Sequence, residues 1–346
     1  MPVISKIEIK NASITKNNLF ALLDKISKEK TLIAPVRNEL EDVDFLPVDN
    51  AAAICFDYDN TASSAKEFFF PQYECMFTFS GASNASIKDK NGNEEIVLFG
   101  LRSCDVKGMK LLDKFYQRTF EDDYYLSKRR KSVIISVACP ELNEQCFCTA
   151  TETGPVLLEG FDIQLISTGE DYAVQIGSQK GLELFEKYKR LFGPEVAVDV
   201  KKLLAQAKKK EPKFNLQKVY ENLKEDKVDE KFWEDIASRC QSCGLCLFLC
   251  PTCSCYTVTD KDTPLGESRR SRQWDACYFR GFTRMAAGYD PIRNNKEMIK
   301  RKYLHKLVQQ IDEFETSGCV GCGRCNLVCV GNVNWLDNII KIERAG

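Results

Sequence analysis

Apolar positions along the first 200 residues alternate between two periods. Leu19, Leu22, Leu23 and Ile26 recur at helical spacing, which predicts an amphipathic helix over 17–28. Residues 131–138 are a β-branched run and predict a buried strand. Two further strands are expected within 161–176, a helix over 106–115 and a short helix over 183–191. Residues 85–101 read as a hairpin turning at Lys90-Asn91-Gly92-Asn93, because Asn-Gly supplies the positive φ of a tight turn.

The pattern breaks between about 200 and 231. Lys208, Lys209, Lys210, Glu211, Pro212 and Lys213 form a charged, Pro-containing boundary that reads as a solvated linker. So short a basic run, without interleaved aromatics, is no nucleic-acid surface. Farther on, 268–278 and 296–314 have helical texture. The expected fold class is therefore α+β. A mixed α/β domain spans 1–205, a charged linker 206–231, and a mainly helical domain 232–346.

Composition narrows the chemistry. The 346 residues include 17 Cys and a single His, with 49 basic against 50 acidic side chains. A net charge of −1 builds in no polyanion-binding field. One His leaves no room for His-rich zinc or an imidazole proton relay. Met1 to Lys6 does not open an export signal, and the longest apolar runs, near 134–138 and 245–249, are far short of a membrane span. A cytoplasmic protein with no membrane insertion is expected, and there cysteine means metal or redox work.

The spacing of the cysteines is the strongest signal. Cys240, Cys243, Cys246 and Cys250 follow C-x2-C-x2-C-x3-C, and Cys319, Cys322, Cys325 and Cys329 repeat it, with Gly244 and Gly323 after each second Cys. Three thiolates on one tight loop can hold three irons of a cube, while the fourth turns away to serve the neighbouring cluster. Cys240, Cys243, Cys246 and Cys329 are thus expected to hold one [4Fe–4S] cluster, and Cys319, Cys322, Cys325 and Cys250 a second. Zinc ribbons would leave half of these eight thiols unexplained. Cys250 is followed by Pro251 but Cys329 by Val330, which weakens local geometry and not the ligand.

Cys104 closes one strand candidate, and Cys139, Cys146 and Cys148 close the next. Two strand ends side by side would gather these four at one sheet edge, where ligands commonly assemble. Four Cys and no His suit a third iron–sulfur cluster; structural zinc or a packed thiol cluster are the alternatives. Cys55 and Cys75 read as core, and Cys253, Cys255 and Cys277 as packing or hydrogen bonding around a cluster. Arg269, Arg270, Arg272 and Trp274 form a basic–aromatic patch on the 268–278 helix, either a partner-steering surface or a solvated face. His305 reads as a surface or capping residue.

These motifs carry a resemblance. Arg102-x-Cys104-Asp105, Cys139-x6-Cys146-Phe147-Cys148, Cys250-Pro251-Thr252-Cys253-x-Cys255-Tyr256 and Arg272-Gln273-Trp274-Asp275-x-Cys277 are four of its marks. Ala287-Gly288, and His305-Lys306 ahead of the 319–325 repeat, complete it. From about Gly100 onward the chain resembles the iron–sulfur electron-transfer component common to anaerobic sulfite reductases and cytosolic sulfhydrogenases, in the latter the beta subunit. Val330, and Tyr289 where a His is more usual, depart from the pattern. The resemblance implies a non-catalytic electron carrier in a soluble complex. A flavin/NAD(P)-binding subunit would lie on one side, and a terminal catalytic subunit of the NiFe hydrogenase or sirohaem sulfite reductase type on the other. The sequence has no G-x-G-x-x-G after a strand and no Walker A loop. Two other readings compete: a catalytic iron–sulfur reductase using the N-terminal Cys set, and a zinc-stapled structural module.

Overall fold

The computed structural model describes residues 10–80, 86–89, 94–139, 141–262, 266–292 and 294–345. Its strands are β1 (Lys10–Ile14), β2 (Thr31–Arg37), β3 (Val43–Val48), β4 (Tyr73–Ser80), β5 (Ser86–Asp89), β6 (Ile96–Leu101), β7 (Val133–Val137), β8 (Ile163–Ser167), β9 (Tyr172–Ile176), β10 (Tyr256–Asp262) and β11 (Ser268–Trp274). The N-terminal helices are α1 (Lys16–Ser27), α2 (Ser103–Gln117), α3 (Asp123–Lys131) and α4 (Gln179–Lys187). The rest are α5 (Val200–Lys210), α6 (Leu216–Lys224), α7 (Glu230–Arg239), α8 (Leu245–Phe248), α9 (Asn295–Leu304), α10 (Gln310–Phe314), α11 (Arg324–Leu327) and α12 (Trp335–Glu343). This is the expected α+β class. No helix among the described residues is long and apolar enough to cross a membrane.

A seven-stranded sheet runs in the order β1-β9-β8-β7-β6-β2-β3. Its centre, β2-β6-β7-β8, is parallel and its edges are antiparallel. The pleat sends alternate residues to opposite faces. Val97 and Phe99 of β6 join the core with Leu19, Leu22, Leu23 and Ile26 of α1. Leu98 and Leu101 join Val106, Met109 and Leu112 of α2 on the other face. Thr15 starts α1 by accepting from the Asn18 amide.

A second sheet, β10-β11-β4-β5, contradicts two expectations. Residues 85–101 are not one hairpin: β5 pairs with β4, while β6 sits in the large sheet. The proposed turn at 90–93 lies outside the described residues. Residues 268–274 are a strand and not a helix. With few apolar residues in 268–274 to set a period, pairing decides: β11 is hydrogen-bonded to β10 on one side and β4 on the other. Arg272 lies opposite Glu74 in that pairing and is fully buried, bonding Glu74 at 2.7 Å and Asp122 at 2.6 Å. Arg270 pairs with Asp260 instead. The basic–aromatic patch is thus a strand on which Arg270 and Arg272 are paired with acids of the same chain.

Residues 206–231 are not a solvated linker. They carry the end of α5 and all of α6, and Val219, Leu223 and Val228 are buried with Trp233, Ile236, Tyr303 and Trp335. Each such buried side chain contributes about 1.5–3 kcal/mol, while the lysines around them stay exposed and keep their hydration.

Candidate iron–sulfur sites

The two repeat copies fold alike. α7 ends at Cys240, whose N–H still bonds the Ile236 carbonyl at 3.0 Å. The chain then loops to Gly244, at φ +78°, before the single turn α8 that carries Cys246. Gly323, at φ +74°, precedes α11 and Cys325 in the same way. A side chain at Gly244 would meet the Phe279 ring at 2.8 Å, and one at Gly323 the Gln145 carbonyl at 2.7 Å. Conformation and crowding both demand glycine here.

The fourth cysteine of each copy crosses over. Cys240, Cys243, Cys246 and Cys329 line one cavity. Cys319, Cys322, Cys325 and Cys250 line the next. Cys246, Cys325, Lys302 and Trp335 border both, so they form the wall between.

The N-terminal cysteines converge through sheet topology. β6 and β7 are parallel neighbours, so their C-terminal ends lie together. Cys104 stands in the first turn of α2 after β6, Cys139 just beyond β7, and Cys146 and Cys148 on the loop that follows. All four line a third cavity, which also touches Gly321 and Cys322 of the second repeat. The Phe147 amide donates to the Gly321 carbonyl at 2.9 Å, and Asn60 Nδ2 to the Cys322 carbonyl at 3.0 Å. Cys322 therefore borders two cavities, and the three lie in a row.

The donor set fits clusters. Amides point at sulfur: Ser242 N–H to Cys240 Sγ at 3.4 Å and Val333 N–H to Cys329 Sγ at 3.1 Å. Such bonds stabilise thiolate ligands. Burial pushes the thiols of Cys104, Cys139, Cys146 and Cys148 up, Cys146 to about 12, so a bound cation must displace their protons.

Charged residues around the C-terminal cavities fit as well. Lys66, Lys302 and Lys306 are 2%, 6% and 4% exposed. Lys66 Nζ donates to the Cys253 carbonyl at 3.1 Å, Lys302 Nζ to Cys246 Sγ at 3.2 Å, and Lys306 Nζ to Thr252 Oγ1 at 2.6 Å and the Gly318 carbonyl at 3.0 Å. Arg272 and Arg324, by contrast, hold carboxylates. The buried ammoniums of Lys302 and Lys306, which line those cavities as Lys66 does not, need a counter-charge, and an anionic thiolate-bound cluster supplies one.

Sequence reasoning missed these lysines, and it missed the roles of Asp105, Arg324 and Glu211. Arg324 Nη2 bonds Asp105 Oδ2 at 2.8 Å and Thr61 Oγ1 at 2.8 Å, both fully inside the protein. Glu211, expected in the linker, accepts from the Thr149 amide at 3.0 Å and the Ala150 amide at 3.2 Å, and lies 3.5 Å from Cys148 Sγ. Asp105, Lys306 and Arg324 stand within the quoted motifs, but their pairings could not be read there, because the groups that hold Arg324 and Glu211 come from remote parts of the chain.

The other cysteines divide in two. Cys55 and Cys75 are half-buried, and Cys55 bonds the Asp57 carbonyl and the Arg37 guanidinium. Cys253 and Cys277 are hydrogen-bonded to Cys250 and Cys255 respectively, in keeping with packing around a site. His305 is neither a surface nor a capping residue: it is half-buried inside a helical stretch that continues from α9 through 305–309 into α10.

A family model for the 4Fe-4S dicluster domain matches residues 239–333, which include both repeats. Over 302 residues the chain is 30% identical to Sulfhydrogenase 2 subunit beta of Pyrococcus furiosus, covering 85% of this chain and 88% of that one. On this likeness, and on the dicluster domain within it, the chain belongs to the family of iron–sulfur electron-transfer subunits that includes this sulfhydrogenase beta subunit.

Proposed function

We propose that the chain is the electron relay of a multi-subunit oxidoreductase, with three [4Fe–4S] clusters in its three cysteine cavities. The ligand sets are Cys240, Cys243, Cys246 and Cys329; Cys250, Cys319, Cys322 and Cys325; and Cys104, Cys139, Cys146 and Cys148. The observation that carries the reading is the shared walls. The first two cavities meet at Cys246 and Cys325, and the second and third at Cys322.

A [4Fe–4S] cluster on four thiolates takes up and returns one electron. The protein supplies the thiolates, the amide donors to sulfur and the buried lysines. The name of the Pyrococcus furiosus relative, a hydrogenase subunit, supports the rest of the reading. A flavin/NAD(P) subunit would stand at one end of the relay and a terminal catalytic subunit, of hydrogenase or sulfite-reductase type, at the other.

The test is an anaerobic iron count with EPR on the whole chain and on a Cys139→Ser, Cys148→Ser variant. About 12 Fe per chain are expected, falling to about 8 in the variant. About 8 in the parent chain, with both C-terminal centres full, would overturn the third cluster. Identifying the subunits that co-purify decides the ends, since a sirohaem or a nickel–iron partner is told apart by its spectrum.

A further inference from the structure

The repeat allows one half of the C-terminal domain to be compared with the other. By position in the motif, Gln241 corresponds to Val320, Cys243 to Cys322, Leu245 to Arg324, Leu327 to Phe248 and Val330 to Pro251. Around the middle cavity every one of these positions is covered by the same chain. Val320 and Arg324 are 3% and 2% exposed. Arg324 is held by Thr61 and Asp105, and Pro251 is buried against α2 at Gly108. Phe248 stacks on Trp274 at 6.1 Å and meets Phe279 edge-on at 5.7 Å. What covers this half is largely the N-terminal lobe, which brings its own four thiols against Cys322.

The corresponding positions around the outer cavity are bare. Leu245, Leu327 and Val330 are 40%, 62% and 75% exposed, and Gln241 is exposed beside them. Cys243 is the one exposed cysteine of the 17, all of which are described. Isolated apolar residues on a surface are ordinary; here Leu245 and Val330 line the cavity of a solvent-facing cysteine, and Leu327 lies on α11, which packs beside the α8 turn that carries Leu245, and such a grouping marks a binding surface.

We propose that the Leu245–Leu327–Val330 face docks a partner protein that carries a redox centre, seated on the outer cavity as the N-terminal lobe is seated on the middle one. The repeat itself argues for this occupant. The equivalent half is covered by a folded lobe with its own cysteine cavity, and that lobe places its cavity directly against Cys322. It also gives the chemistry of the contact. Where the covered half has Arg324 paired with an acid, the bare half has Leu245, so the partner offers an apolar surface and no counterpart of Asp105.

The inference rests on the cluster reading above, and the experiment separates the two. The complex is purified anaerobically through a tag on this chain, as parent and as a Leu327→Glu variant, a position that lines neither C-terminal cavity. The variant is expected to lose one redox subunit, identified by its own cofactor spectrum, and electron transfer to it should fall at least tenfold. Iron per chain and the dithionite-reduced EPR signals should stay as in the parent. Leu40→Glu, at a position 82% exposed on the large-sheet side, should leave the complex whole. A photo-crosslinker at position 327 reports without disturbing the cluster and should join the chain to that same redox partner. If the variant complex keeps its full complement and an unchanged rate, the proposal is overturned. So it is by a crosslink only to a second copy of this chain. Iron missing from the parent would instead sink the cluster reading.

Discussion

Lys302 reaches from α9 to within 3.2 Å of the Cys246 sulfur, and its side chain borders both C-terminal cavities. Its ammonium lies 4.5 Å over the Trp335 ring and is almost wholly shielded from water. A fixed positive charge in such a place favours whichever state of a neighbouring cluster carries the extra electron. Lys302→Met should therefore lower the reduction potentials of both C-terminal clusters, by on the order of 50–150 mV. Lys302→Arg should retain most of the parent values. EPR-monitored redox titration reads this directly, and unchanged potentials in the Met variant would refute it.

The Arg324–Asp105 pair clamps the second repeat to the N-terminal lobe, with both side chains 2% exposed or less. Removing one partner of a buried ion pair leaves the other uncompensated, at about 3–5 kcal/mol. Asp105→Asn should lower stability by about that much, read as a drop in the anaerobic denaturant midpoint. A loss below about 1 kcal/mol would mean that Thr61 alone satisfies the guanidinium.

Glu211 ties down the loop of Cys148 through the amides of Thr149 and Ala150 and the Thr149 hydroxyl, at 2.5–3.2 Å. Glu211→Ala should release that loop. Iron content is then expected to fall by about four per chain, with the C-terminal EPR signals retained. Full iron in the variant would show that the cysteines hold the loop unaided.

His305 is the one residue of its kind in the chain. Burial, then Lys306, Arg301 and Arg118, push its pKa down from 6.5 to about 4. The unfolded chain thus binds a proton between pH 6.5 and 4 that the folded chain refuses, and stability falls as pH drops through that window. The full loss is on the order of 3 kcal/mol. His305→Asn should reduce the difference between denaturant midpoints at pH 7 and pH 5. An equal pH dependence in both proteins would remove His305 from the account.

Legibility in the sequence followed the range of the interactions. The thiol spacing of each repeat is set within eleven residues, so it announces itself, and the crossover of Cys250 and Cys329 follows from helix geometry. Gathering Cys104 with Cys139, Cys146 and Cys148 needed only that two adjacent strands be parallel neighbours. β11 was illegible because Ser268 to Trp274 has no apolar period of its own and is a strand only between β4 and β10. α6 was hidden behind lysines, since Val219 and Leu223 find their partners in α9 and α12. Lys302 looked like any other lysine of a charged helix; only the fold shows that it points inward.

The sheet that joins residues 73–80 to 268–274 sets a timetable. Tyr73 pairs with Gln273, so the first strand of that pair is synthesised 200 residues before its partner. At 5–20 residues per second, this is roughly 10–40 seconds of elongation. Throughout that interval β4 has an unpaired edge, and the loop with Gly321 and Cys322 that walls the N-terminal cavity does not yet exist. The thiols of Cys104, Cys139, Cys146 and Cys148 are at their most accessible then. Synthesis of Gly321 and Cys322 then completes the wall over them.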